Sequence, residues 1–146
     1  MLRTADTVFA EDCRHTLKLL SHYGITARLL PYHAHNEASQ QQHIVDLLAR
    51  GLAVALVSDA GTPGVSDPGA RAVSAAIFAG HRVLPVPGPS AALAAVTASG
   101  LPADQFQFVG FLPAKATARR KQLEHLRGTC AVRPCSSWLC ASLSAS

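Results

Sequence analysis

The sequence predicts an α/β fold built on a parallel, doubly wound sheet. Apolar, β-prone segments alternate with helical segments along the chain, which is the pattern of such sheets. Residues 53–57 form an uninterrupted apolar run, typical of a strand buried on both faces. Residues 58–69 and 87–91 are rich in Gly and Pro, and each segment lies between a predicted strand and a predicted helix. Ligand loops of α/β proteins occupy this position.

The first half of the chain contains three predicted strands and two helices. Residues 7–10 are a short strand, and residues 14–23 have helical spacing that stops at Gly24. Residues 27–31 form the second strand. Residues 37–50 form a helix with an apolar face and a stop at Gly51, and residues 53–57 form the third strand.

The second half predicts three helices and two further strands. A helix over residues 70–79 ends at Gly80, and residues 82–86 form a strand. A helix of small residues follows over 91–99, then a strand over 105–109 and a basic helix over 115–126. All parallel strands end at one edge of the sheet, so the loops 58–69 and 87–91 are expected to lie on the same edge.

Composition restricts the class of protein. The 146 residues are 49% hydrophobic and 15% charged, as in a globular domain with its own core. No apolar run approaches the roughly 20 residues of a membrane span, and no signal peptide is visible, so a cytoplasmic protein is expected. The four cysteines form no CxxC pair, which argues against zinc and for reduced thiols.

Charge is concentrated near the end of the chain. The formal net charge is +4, which suits a polyanionic partner without requiring one. Residues 115–127 hold five basic side chains and one acid. Two interpretations are open, a solvated helix face and a surface for RNA phosphates.

The loop of residues 58–69, SDAGTPGVSDPG, is the most informative segment. Glycines allow the backbone to approach a ligand, and prolines restrict the loop to few conformations. The chain has neither a GxGxxG nor a GxxxxGK[ST] motif, so neither a dinucleotide site nor a P-loop is indicated. The alternative is a tight strand-to-helix connection without a ligand.

Six motifs resemble one family in the same order and at similar spacing. They are AEDCRHT (10–16), HNE (35–37), SDAGTPGVSDPG (58–69), PGPSA (87–91), GLP (100–102) and GFLPAK (110–115). Over residues 1–128 the chain resembles the ribosomal small subunit methyltransferase I family, within the tetrapyrrole methylase (class III) superfamily. The resemblance implies a class III N-terminal domain that lacks its first strand, followed by the start of a second domain.

The resemblance also implies chemistry. Family members use S-adenosyl-L-methionine to methylate the ribose 2′-hydroxyl of a cytidine in small-subunit (16S) rRNA, are cytoplasmic two-domain homodimers, and hold the cofactor between the domains. No metal is implied. The positions that match the family's cofactor loops are Asp59, Ala60, Gly61, Pro63, Ser66, Asp67, Ser90 and Ala91.

No motif fixes a catalytic base. A ribose hydroxyl is a weak acid, so a base would help, and Glu11, Asp12, His35 and Asp67 are candidates. Each has an alternative role as a helix cap or a loop tie. Glu11 and Asp12 could cap the first helix, and for Asp67 we favour the cap, with Pro68 as the first helical residue.

Basic side chains mark the expected contact with small-subunit rRNA or the 30S subunit. Arg14 and His15 are expected at RNA phosphate or ribose, with a surface ion pair between Arg14 and Asp12 as the alternative. The other predicted RNA contacts are Lys115, Arg119, Arg120 and Lys121.

Two departures from the family lead to further expectations. A first strand with a TPIGN-like loop is missing, and residues 129–146 fit neither helix nor strand spacing and resemble a frameshifted translation. We therefore expect a cofactor-binding domain over 1–112, a basic helix over 113–128, an off-pattern tail over 129–146, and little or no activity.

The alternatives are a non-catalytic RNA- or nucleotide-binding fragment, and a class III enzyme with another acceptor such as a tetrapyrrole. The basic run argues against a tetrapyrrole.

Overall fold

A computed structural model describes residues 1–129. Three parallel strands form a sheet in the order β2-β1-β3, with β1 at Thr7–Ala10, β2 at Arg28–Pro31 and β3 at Val54–Val57. The helices are α1 (Cys13–His22), α2 (Glu37–Ala49), α3 (Ala70–Phe78), α4 (Ala91–Ala98) and α5 (Ala116–Thr129), and a 3-10 turn spans Leu2–Thr4. The chain divides into two compact units, Met1–Ser90 and a second that begins at Ala91.

The central strand β1 is buried on both faces. Val8 and Phe9 are 0% exposed, and their side chains leave the sheet on opposite sides. Phe9 packs in a cluster with Tyr32, Ile44, Leu47 and Ala72, which places α2 and α3 on its side of the sheet. Within the sheet, the connection from β1 to β2 runs toward one edge, and the connection from β2 to β3 runs back toward the other edge. Because both crossovers are right-handed, α1 and α2 lie on opposite faces of the sheet. The doubly wound α/β prediction is confirmed.

Glycine stops the helices where the sequence predicts it. After α1, Gly24 has φ +58°, its amide donates to the Ser21 carbonyl, and the Ile25 amide donates to the Leu20 carbonyl. This pair of bonds is a Schellman motif, which a left-handed residue completes. The same pattern follows α2 and α3, so the bounds of these helices agree with the prediction to within one residue.

Two predicted strands are wrong. Residues 82–86 and 105–109 have no strand partner among residues 1–129, and Leu84 and Phe106 are exposed. A strand is stable only when a neighbour accepts its backbone hydrogen bonds, and Pro85 has no amide to donate. The placement of the 87–91 loop at the sheet edge depended on the 82–86 strand, so it stays a prediction.

The predicted division into domains also stays a prediction. The compact unit ends at Ser90, whereas the motifs place the domain boundary at residue 112. Most of the predicted tail and frameshift, residues 130–146, lies outside the described residues. None of the described helices is long and apolar enough to cross a membrane.

Candidate functional site

The carboxyl ends of β1 and β3 are joined by three hydrogen bonds. The Glu11 amide donates to the Val57 carbonyl at 3.1 Å, and the Asp59 amide donates to Glu11 Oε2 at 3.2 Å. The Asp12 amide donates to Asp59 Oδ1 at 3.3 Å. From these strand ends the chain leaves toward α1 and α3, on opposite faces of the sheet. Open α/β sheets form their ligand crevice at such a switch point.

Asp12 has a structural role at this point. It is the N-cap of α1, and its Oδ1 accepts from the Arg14 amide at 2.7 Å. The Arg14 guanidinium also donates to both carboxylate oxygens, from Nε to Oδ1 at 3.1 Å and from Nη2 to Oδ2 at 2.7 Å. The bonds from Arg14 hold the pKa of the Asp12 carboxyl well below its usual range. Asp12 therefore has the cap and ion-pair roles that the sequence left open as alternatives, and a carboxylate of such low basicity is a poor proton acceptor.

His15 lies beside residues 58–69, the candidate ligand loop. Its Nδ1 is 3.6 Å from Asp59 Oδ1, an ion-pair distance, and its side chain is 63% exposed. A carboxylate on one ring nitrogen of an imidazole leaves the other nitrogen available to take a proton. Asp59 and His15 therefore form an acid–imidazole pair that is open to a substrate.

A cation is a second ligand that these side chains could hold. One atom each from Asp12, His15 and Asp59 lie within 4.8 Å of one another. Arg14 already neutralises Asp12 through both carboxylate oxygens. We therefore interpret the group as an ion-pair network.

The loop after β3 depends on unusual backbone angles. Gly61 and Gly64 have φ of +71° and +83°, and Ser66 has φ +61°, which few non-glycine residues adopt. The Val65 amide closes a turn onto the Thr62 carbonyl at 3.1 Å. Ala60, Gly61 and Ser66 are exposed, so the predicted cofactor positions in this part of the loop are accessible, and Pro63 is half-buried.

The predicted cap at Asp67 is wrong. The N-cap of α3 is Gly69, two residues later, and Pro68 lies before the helix. Burial raises the pKa of the Asp67 carboxyl, a hydrogen bond with Ser58 opposes the rise, and the charge of Asp59 adds to it. Asp67 therefore contacts Ser58, at the start of its own loop. It does not cap α3 because Pro68 and Gly69 lie in a turn, and the helix begins only at Ala70.

One acid of the site was not predicted as a site residue. Glu37 lies in the first turn of α2, and its Oε1 accepts from the Gly69 amide at 2.8 Å and from the Tyr32 hydroxyl at 3.1 Å. The signal was present in the HNE segment, because Glu37 follows β2 at the same edge of the sheet as the ligand loop.

Three further residues were predicted as site residues, namely His35, Ser90 and Ala91. His35 is exposed, and its ring meets that of His33 edge-to-face at 5.9 Å. Ser90 is half-buried, and Ala91 opens α4.

The basic residues around α5 are solvent-exposed. The Arg119 guanidinium donates to the Ala114 carbonyl at 3.1 Å, near the start of the helix. The other exposed basic residues predicted to contact RNA are Lys115, Arg120 and Lys121.

Fold and site together define an α/β protein with a glycine-rich loop, residues 58–69, at its switch point. Residues 1–134 match the family model of Tetrapyrrole (Corrin/Porphyrin) Methylases, and the chain belongs to that family. The resemblance that the motifs indicate is confirmed.

Several relatives of this chain are named ribosomal RNA small subunit methyltransferase I. The protein of Xylella fastidiosa (strain Temecula1) is 57% identical over 86% of this chain and 46% of its own length. The proteins of Vibrio cholerae and Halalkalibacterium halodurans are 50% and 48% identical, over 84% and 88% of this chain and 43% and 44% of their own lengths. The chain therefore spans less than half the length of these relatives.

Proposed function

We propose that this chain forms the cofactor-binding part of an S-adenosylmethionine-dependent methyltransferase that methylates the 2′-hydroxyl of a cytidine in small-subunit rRNA. The observation that carries the proposal is the network of Glu11, Asp12 and Asp59 at the switch point, in a chain of a methylase family. The name of the relatives favours rRNA over a tetrapyrrole as the acceptor. We further propose a cytoplasmic homodimer for the whole protein, as the resemblance implies.

The loop suits this cofactor. S-adenosylmethionine has cationic sulfonium and ammonium groups and ribose hydroxyls, which a carboxylate such as Asp59 attracts or accepts from. At Gly61 no atom lies within 4 Å of where a Cβ would be, so the backbone is open to a ligand. The cofactor supplies an activated methyl group, so the protein has mainly to align the reactants. Asp59, Gly61 and Ser66 would hold it.

His15 is the side chain best placed to accept the hydroxyl proton. Its Nδ1 is 3.6 Å from Asp59 Oδ1, within ion-pair distance of a carboxylate, and its side chain is 63% exposed. A ring nitrogen of His15 would accept the proton. Glu11 and Asp12 are occupied by the hydrogen bonds described above, which makes them weaker candidates.

Exposed cations would bind the RNA. Arg14 is 87% exposed at the start of α1, beside the proposed reaction site. Lys115, Arg120 and Lys121 are exposed basic side chains of the second unit. Phosphate contacts of this kind provide affinity and position without reading sequence.

A full-length hybrid tests the proposal. This chain's matching 126 residues would replace the equivalent segment of the Xylella fastidiosa relative. The substrate would be small ribosomal subunits from a strain that lacks the corresponding methyltransferase, with radiolabelled S-adenosylmethionine as donor. We expect label in rRNA within an alkali-resistant dinucleotide, because a 2′-O-methyl group blocks hydrolysis there. Asp59→Ala should abolish the label, and the matched control Asp46→Ala on α2 should retain it.

Two results would contradict the proposal. Absence of label from the hybrid, when the unmodified relative is active, would exclude this chain's segment as a working cofactor site. Salt-sensitive RNA binding by the 146-residue chain without any binding of S-adenosylmethionine would favour the non-catalytic RNA-binding alternative.

A further inference from the structure

One carboxylate oxygen connects three elements around the ligand loop. Glu37 Oε1 accepts from the Gly69 amide at 2.8 Å and from the Tyr32 hydroxyl at 3.1 Å. Glu37 begins α2, Tyr32 directly follows β2, and Gly69 is both the last loop residue and the N-cap of α3. The end of the ligand loop is therefore bonded to elements outside the loop.

Gly69 has little freedom at this position. It is buried with φ +145°, and an added Cβ would lie 2.9 Å from Leu56 Cδ2 and 3.0 Å from the Gly64 amide nitrogen. No side chain caps α3 by a hydrogen bond at this residue. The bond to Glu37 therefore satisfies an amide that would otherwise be buried without a partner.

Tyr32 holds the Glu37 carboxylate in place. It is 1% exposed, and its ring meets Phe9 of the central strand edge-to-face at 6.3 Å. Burial and the bond to Glu37 raise the pKa of the Tyr32 hydroxyl to about 12. The phenol therefore remains a donor to Glu37 throughout the neutral range.

We propose that Glu37 is a positioning residue that sets the conformation of the 58–69 loop from outside it. The loop starts at the Glu11–Asp59 bond and ends at the Glu37–Gly69 bond, so both ends are fixed to the sheet edge. A loop held in its binding conformation loses less entropy when a ligand orders it. The expected effect of Glu37 on the affinity for S-adenosylmethionine rests on the function proposed above. Its expected effect on the conformation of the loop does not depend on that function.

Two measurements on the 146-residue chain test this role. In the first, amide resonances and hydrogen exchange are followed in Glu37→Ala and in the matched control Asp46→Ala, an exposed acid on the same helix. We expect Glu37→Ala to remove the exchange protection of the Gly69 amide and to shift the Asp59 and Gly61 resonances. Amides of Val8 and Phe9 should keep their protection, and the control should change none of these signals.

The second measurement is calorimetric binding of S-adenosylmethionine. Loss of one hydrogen bond to a charged group that orders the loop should weaken binding about tenfold in Glu37→Ala. Glu37→Gln retains an acceptor oxygen and should lose less. In a Tyr23→Phe background, absorbance reports Tyr32 alone, because the chain has two tyrosines, and its titration midpoint should fall in Glu37→Gln.

The outcomes separate the two proposals. Loop resonances that do not move in Glu37→Ala would overturn the positioning role, whatever the ligand does. Loop resonances that move while the affinity stays unchanged would reduce Glu37 to a stabilising residue and also overturn it. If the unmodified chain binds no S-adenosylmethionine, the proposed function fails, and the resonance and exchange data alone decide the role of Glu37.

Discussion

Glu11 and Asp59 bond to each other across the ends of two neighbouring strands. The Asp59 amide donates to Glu11 Oε2 at 3.2 Å, directly after β3, and the Glu11 amide bonds the last carbonyl of that strand. The ligand loop therefore begins from a fixed point on the central strand. The four predictions that follow concern this start, the end of the loop, the cap of α1 and the basic residues of α5.

Glu11→Ala should loosen the start of the loop. Removal of one hydrogen bond acceptor costs about 1 kcal/mol, so the affinity for S-adenosylmethionine should fall roughly fivefold. Glu11→Gln keeps an acceptor oxygen and should lose less than half of that free energy. Calorimetry on both variants checks this, and equal affinities for Glu11→Ala and the unmodified chain would show that the bond does not order the loop.

Gly69→Ala should destabilise the fold more than Gly61→Ala does. Both glycines have positive φ, at +145° and +71°, but only at Gly69 would a Cβ meet another atom closer than 3.0 Å. We expect a loss of about 1–2 kcal/mol at Gly61 from the backbone angle alone and about 3 kcal/mol or more at Gly69. Urea unfolding measures both. Similar losses would mean that the loop end is less tightly packed than the contact distances indicate.

Asp12 should make stability fall in acid. Arg14 holds the pKa of the folded-state carboxyl below its ordinary value of 3.8. A lowered folded-state pKa stabilises the fold above the unfolded pKa, and this contribution is lost as the pH falls below about 4. Asp12→Asn keeps the cap acceptor but cannot titrate, so its stability should decline less between pH 4 and pH 2. Parallel acid limbs for the two proteins would contradict this prediction.

The basic residues at α5 should set the salt dependence of RNA binding. Arg120 and Lys121 are exposed, and neutralising both should reduce the slope of log affinity against log salt by about 1.4 for a single strand. Fluorescence anisotropy with a short oligoribonucleotide measures the slope for Arg120→Gln/Lys121→Gln. The matched control Arg50→Gln, an exposed arginine at the end of α2, should leave the slope unchanged. An unchanged slope in the double variant would identify α5 as a solvated face.

The sequence predicted the elements whose signals are local. Gly24 stops α1 through its own left-handed geometry, and the apolar run of β3 needs no partner to be recognised. The prediction of a strand over 82–86 was wrong because apolar residues alone do not show whether a neighbouring strand is available to pair with the segment. The same limit applies to 105–109.

The sequence indicated which loop contains the candidate site but not which hydrogen bonds form there. The motifs contain Glu11, Asp12 and Asp59, and the structure shows that these residues bond one another at one edge of the sheet. Glu37 was missed as a site residue because its partner, Gly69, is 32 residues away. Tertiary folding alone brings two such positions together.

Mapping of S-adenosylmethionine binding by amide resonances tests the central claim most directly. The isotope-labelled chain is titrated with the cofactor and the shifts are assigned residue by residue. We expect saturable shifts at Asp12, Asp59 and Gly61, at the switch point, and none at Ile77 and Phe78, which are exposed on α3. No saturable shift at the loop, or shifts confined to α3, would contradict the proposed cofactor site.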